Sequence, residues 1–186
     1  MDHYLDIRLL SDPEFAPPQL MSALFAKLHR ALAQLDSSDI GISFPAAGKG
    51  SAWLGNQLRL HGSLPALQRL MEQPWLSGMR DHAQCGELSA VPDSAGHMVV
   101  RRIQAKSNPE RLRRRQMKRK GWSAEEARAA IPDSVAETLK LPFLNARSVS
   151  TGQSFRLFID QHPIDQPATG TFNAYGLSTS ASLPRF

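Results

Sequence analysis

From Leu20 to Leu32 a leucine returns at every fourth residue, through Leu24 and Leu28, with Met21 and Phe25 beside the row. That spacing lays one apolar stripe along a helix; a strand would need apolar residues at every second position. The helix runs from Gln19 to about Leu35, and strand-like pieces surround it. Tyr4, Leu5, Ile7, Leu9 and Leu10 predict a strand over His3–Leu10, broken by Asp12-Pro13 and Pro17-Pro18. Ile40–Phe44 is a short second strand, closed by Pro45, and Gln57–His61 a third. Ser63 can cap a second helix with Pro65 in its first turn and Leu67, Leu70 and Met71 apolar. A fourth strand is expected around Met79–Cys85. The order β-α-β-β-α-β is that of a ferredoxin-like fold, which hosts many unrelated functions and so names none.

Pro92, Asp93, Ser94 and Gly96 make residues 90–96 a linker, and the balance of charge changes sign there. Residues 1–100 carry seven Lys/Arg against ten Asp/Glu, whereas residues 101–186 carry fifteen against seven. The expected architecture is therefore α+β: a ferredoxin-like domain over 1–94 and a smaller α/β domain over 95–186. In the second domain His97–Ala105 is β-rich, and Asn108-Pro109-Glu110 opens a helix over 109–120 that Gly121 stops. Ser123-Ala-Glu-Glu126 is a capping box for another short helix. Phe143–Arg147, Phe155–Ile159 and Thr171–Leu177 read as strands.

Ten of the twenty-two basic residues fall between Arg101 and Lys120, against the single acid Glu110. Within the helix Arg111, Arg114, Arg115, Lys118 and Arg119 occupy i, i+3, i+4, i+7 and i+8, all on one face. Five like charges repel one another, and a nucleic-acid backbone removes that cost while releasing counterions. Arginine outnumbers lysine, which suits bidentate grips on phosphate and guanine. In the preceding strand Arg102 and Gln104, two residues apart, point to the same side and pair well with guanine and adenine edges. The alternative reading of the whole run is a solvated basic face.

The stretch Arg102-Ile-Gln-Ala-Lys-Ser-Asn-Pro-Glu-Arg-Leu-Arg-Arg-Arg115 resembles the type I-F CRISPR repeat-processing endoribonucleases. So do Met1-Asp-His-Tyr-Leu-Asp-Ile-Arg8, the helix reaching His29, Arg147-Ser-Val-Ser-Thr-Gly-Gln-Ser-Phe-Arg-Leu-Phe-Ile159 and Tyr175-Gly-Leu-Ser178. Residues 46–56 and the tail after Ser178 depart from the family pattern, and position 118 is lysine where arginine is expected. The resemblance implies a metal-independent enzyme that cuts precursor CRISPR RNA at the base of a repeat stem-loop. It also implies that the enzyme stays on the mature RNA and enters a type I-F surveillance complex with other subunits. By the same resemblance His29, Ser148 and Tyr175 form the active site, and Arg102 and Gln104 read the lower stem. Phe155 stacks near the stem's base, Arg114, Arg115, Lys118 and Arg119 line the groove, and Lys106, Asn108, Arg111 and Ser150 are further RNA contacts.

The chemistry is coherent. RNA supplies its own nucleophile in the 2′-OH beside the scissile phosphate, and a histidine, ordinarily titrating near pH 6.5, can take its proton at neutral pH. Periodicity alone makes His29 a core-edge histidine, Ser148 a strand serine and Tyr175 a core-edge tyrosine; only the resemblance gives them catalytic roles. The remaining histidines have no metal-ligand spacing, so neither metal nor cofactor is expected. The lone Cys85, the absence of an apolar run of membrane-spanning length and the signal-free opening point to a cytoplasmic protein. Two other functions keep the basic helix: a non-catalytic RNA-hairpin-binding assembly protein and a DNA-binding regulator. No helix-turn-helix pair supports the second.

Overall fold

The computed structural model describes residues 1–48, 51–104, 109–133, 139–147 and 152–186. Contacts divide the chain into two compact units, residues 1–103 with 141–186, and residues 104–140.

The larger unit holds two antiparallel sheets. Its first half contains β1 (His3–Leu9), α1 (Pro17–Gln34), β2 (Gly41–Ser43), β3 (Gln57–Gly62), α2 (Leu64–Met71), β4 (Ala83–Cys85) and β5 (Ser89–Ala90). The sheet order is β2-β3-β1-β4, with β5 also paired to β1. β1 lies antiparallel to β3, with Leu5 opposite Leu60 and Ile7 opposite Leu58. The β-α-β-β-α-β order read from periodicity is thus the order found. The second sheet, β7-β8-β6-β9, is built from β6 (Gly96–Ile103), β7 (Phe143–Arg147), β8 (Ser154–Ile164) and β9 (Leu183–Arg185). One core runs through both sheets, joining Leu5, Ile7 and the α1 leucines to Leu157, Ile159 and Leu183. The boundary expected near residue 95 falls between the two sheets, and both belong to the larger unit. The smaller unit carries α3 (Pro109–Lys120) and α4 (Ala124–Ala130).

Local chemistry explains the elements. α1 buries Leu20, Leu24, Leu28 and Leu32 as its period demands, but it begins at Pro17. Pro17 and Pro18 form the first helical turn, where a fixed φ and a missing N–H cost nothing, so they open the helix as well as ending what precedes it. The Ser63 hydroxyl caps α2 by accepting from the Ala66 N–H, and Ser123 with Glu126 closes the capping box of α4. Residues 90–96 are not simply a linker: Ser89 and Ala90 form β5, and the Val91 N–H donates to the Asp2 carbonyl at 2.8 Å.

Residues 171–177 do not form the expected strand. The Asn173 carboxamide oxygen accepts from the N–H groups of Tyr175 and Leu177 at 2.9 and 3.3 Å, folding the segment into a turn in place of a ladder. Gly176 stands at φ +69°, and a Cβ there would come within 2.8 Å of Ile42. Both constraints require glycine.

β3 is buried on both faces. Leu58 and Leu60 alternate with Arg59 and His61. The Arg59 guanidinium bonds both oxygens of Asp6, at 2.7 and 2.8 Å, and lies over the Tyr4 and Phe186 rings. Burial alone would raise the Asp6 carboxyl, but hydrogen bonds from Arg59 and Gln57 and the Arg59 charge outweigh it and hold it below the usual range. His61 is fully buried with Nε2 at 2.8 Å from the Ser43 hydroxyl. Burial, and then the nearby Arg59 charge, push its pKa down to about 3.

A pH dependence of stability follows. Between pH 6.5 and about 3 the unfolded chain binds a proton at His61 that the folded chain does not, so stability rises with pH in that window and is fully present above it. Lowering the pH from 7.5 to 5 should cost about 2 kcal/mol through this group. Denaturant melts of the wild type and of His61→Gln at both pH values check it. The acid loss should shrink by that amount in the variant, and an equal loss in both proteins would refute the assignment.

Candidate active site and nucleic-acid interface

His29 lies on the half-buried margin of α1, one turn beyond Phe25. Its Nδ1 is 2.8 Å from the Ala174 carbonyl oxygen. A carbonyl can only accept, so Nδ1 carries the hydrogen and the neutral ring keeps its lone pair at Nε2. Tyr175 stacks on the imidazole with centroids 4.0 Å apart and planes 13° from parallel, and lies nearly parallel to Phe25 at 5.9 Å. The turn that presents Ala174 and Tyr175 is tied down on several sides. The Ile42 N–H donates to the Gly176 carbonyl, the Phe172 N–H to Ser38 and the Ser178 N–H to Val100. The histidine is therefore held between a core phenylalanine row and a turn fixed to β2 and β6.

A pocket of about 330 Å³ opens beside this pair. α1 supplies Phe25, Ala26, His29 and Arg30, β7 supplies Asn145, Ala146 and Arg147, and Gly152 and Tyr175 complete the lining. β7 is bound to α1 by the Asn145 N–H, which donates to the Ser22 hydroxyl at 3.2 Å. The Arg147 Nε donates to the Gly152 carbonyl at 2.9 Å, tying the end of β7 to the approach of β8.

Within the larger unit Arg102 on β6 places its guanidinium over the Phe155 ring of β8 at 5.2 Å, and its Nε has no partner among the described residues. β6 ends at Ile103, so Gln104 falls one residue beyond the strand and is exposed.

Within the smaller unit α3 has two faces. Arg111, Arg114, Arg115, Lys118 and Arg119 are all exposed, whereas Leu112, Arg113, Gln116 and Met117 are partly covered. Arg113 belongs to the packed side: its Nε donates to the Ile131 carbonyl at 2.8 Å and its Nη2 to Asp133 at 2.7 Å. One arginine thus binds the helix to the end of α4 and leaves the others outward.

These features can be set beside known proteins. The family model described as CRISPR-associated protein (Cas_Csy4) matches residues 4–186. The chain belongs to that family. Two relatives are matched over the full length of both chains. One is the CRISPR-associated endonuclease Cas6/Csy4 of Pseudomonas aeruginosa (strain UCBPP-PA14), 54% identical over 187 residues; the other, of the same description, is from Escherichia coli (strain UTI89 / UPEC), 47% identical over 188. A solved structure described as "An RAMP protein binding different RNA substrates" covers 98% of this chain and 99% of its own at 10% identity and a TM-score of 0.37, too distant to bear on the fold. The resemblance drawn from the sequence therefore holds, and this Cas_Csy4 chain is a CRISPR repeat-processing endoribonuclease.

In this Cas_Csy4 chain the expected residues fall into three places. His29 and Tyr175 are brought together across 146 positions of sequence, Arg102 meets Phe155, and the five basic residues of α3 share one exposed face. Ser148, Ser150, Lys106 and Asn108 lie outside the described residues. Sequence reasoning missed the Ala174 carbonyl, which a backbone atom cannot advertise, and the pocket residues Arg30 and Asn145, which carry no local signature. Arg147 was legible only as the first residue of the matched stretch 147–159. No helix of the described residues is long and apolar enough to cross a membrane.

Proposed function

We propose that this chain binds the stem-loop of CRISPR repeat RNA and cuts at its base with His29 as the general base. The observation that carries the reading is the Nδ1–Ala174 hydrogen bond, which leaves Nε2 as the one imidazole nitrogen able to accept a proton. His29 Nε2 takes the proton of the 2′-OH, the O2′–P bond forms as the P–O5′ bond breaks, and the departing 5′ oxygen is protonated in turn. The products are a 2′,3′-cyclic phosphate and a 5′-hydroxyl. Because the nucleophile is the RNA's own hydroxyl, the step requires no hydrated metal. Tyr175 orients the imidazole by stacking on it, and Ser148, by family resemblance, holds the ribose hydroxyl or a phosphate oxygen.

The stem is held by separate groups. Arg102, whose guanidinium lies over Phe155, reads a guanine edge at the stem's base, and exposed Gln104 is a second reader. Lys106, Asn108 and Ser150 are assigned RNA contacts by resemblance alone. The exposed face of α3 lies along the groove; a short stem admits a helix near its end, although a long A-form major groove does not. The first sheet is the ferredoxin-like part of this design. The hairpin product stays bound, and the complex assembles with other subunits of a type I-F surveillance complex in the cytoplasm.

The test is a labelled repeat hairpin incubated with the protein in EDTA. Cleavage at the stem's base with a cyclic-phosphate end is the expected result. A strict requirement for magnesium would overturn the mechanism. Tight binding without any cleavage would favour a non-catalytic assembly protein.

A further inference from the structure

The pocket beside His29 is larger than the proton transfer needs, and two arginines, Arg30 and Arg147, line it. Arg30 follows His29 on α1, is exposed, and has no ion-pair or hydrogen-bond partner among the described residues. Arg147, which also lines the pocket, commits its Nε to the Gly152 carbonyl, and its guanidinium has no other hydrogen-bond partner among the described residues. Among the described residues no aspartate or glutamate lines the pocket, so neither guanidinium has a carboxylate beside it there. Asn145 adds an amide whose side chain has no partner among the described residues, and Phe25, Ala26 and Ala146 add apolar surface. Two cations, one amide and an apolar surface suit a nucleotide: its phosphate, a base edge and the flat of its sugar or base. A volume near 330 Å³ is at the small end of ligand pockets and takes one such unit.

RNA must leave a cut site in two directions. Arg102, Phe155 and α3 serve the hairpin on the 5′ side of the cut, which leaves the strand on the 3′ side without a contact. We propose that Arg30, Asn145 and Arg147 form a subsite for the RNA strand 3′ of the cut, gripping its first phosphodiester beyond the scissile one. The inference rests on the proposed cleavage by His29. It gives the enzyme a contact present in the precursor and absent from the product, so interaction there speeds cutting without holding the leaving strand to the retained hairpin.

The test compares single-turnover rates on two hairpins, one ending about one nucleotide 3′ of the cut and one extending about six. A third substrate carries a neutral methylphosphonate at the first linkage beyond the scissile phosphate. Wild type should cut the long hairpin roughly tenfold faster than the short one, the scale of one charged contact, and the methylphosphonate should remove most of that advantage. Arg30→Ala, at an exposed helix position where folding is not at stake, should bring the ratio close to one, and Arg30→Lys should keep part of it. Affinity for the cut hairpin, which lacks the 3′ strand, should be the same in all three proteins. Equal cutting of long and short hairpins by the wild type, or an unchanged ratio in Arg30→Ala, would overturn the subsite while leaving the cleavage mechanism standing. A wild type that does not cut the hairpin at all would remove both.

Discussion

His29→Ala should lower single-turnover cleavage of the repeat hairpin by about a hundredfold or more, the usual scale for a lost general base, with hairpin affinity nearly unchanged. The split between rate and affinity is the informative part. His29 spends Nδ1 on the Ala174 carbonyl and is flanked by Tyr175, so its one remaining polar atom is available for proton transfer and contributes little to grip. The same logic predicts that a single deoxyribose just 5′ of the scissile phosphate stops the reaction in the wild type while leaving binding intact, because it deletes the nucleophile and nothing else. A deoxy-substituted hairpin that is still cut at the same bond would show that the attacking oxygen is not the 2′-OH, whichever residue is the base.

Replacing Arg115 and Arg119 together by alanine should weaken hairpin binding by roughly a hundredfold, at about 1.5 kcal/mol for each charged hydrogen bond. It should also lower the slope of log affinity against log salt by about one for each residue. The two are one turn apart on the exposed face of α3, and the helix is anchored through Arg113 on its other side, so the double variant should keep its fold. Circular dichroism and a salt titration of hairpin affinity make the check. A large loss of affinity with an unchanged slope would mean that these side chains do not meet phosphates.

What the sequence made legible was what local spacing controls. The leucine row marks α1 because its period is that of a helix, and Ser63 and Ser123 mark helix starts because a hydroxyl at that position satisfies a free N–H. The basic face of α3 could be drawn from residue numbers alone. Residues 171–177 read as a strand, but the Asn173 side chain and the left-handed Gly176 fold them into a turn. The candidate site was legible only in part. By periodicity His29 is an ordinary core-edge residue, and the carbonyl that fixes its tautomer comes from Ala174, 145 positions away. Arg59 and Asp6 look like surface charges in strands, yet they form a covered pair because β3 is enclosed on both faces.

Ile103 and Phe143 both stand opposite Phe158, one on each flank of β8. The chain therefore leaves the second sheet at one point and re-enters it two strand spacings away, about 10 Å, having made the whole of the smaller unit in between. No described residue of 104–140 belongs to the shared core. In genetic terms the arginine-bearing segment is a cassette: a short splice of a few residues spans the gap between its ends. Substitutions can accumulate in it without disturbing the packing that holds His29 against Tyr175.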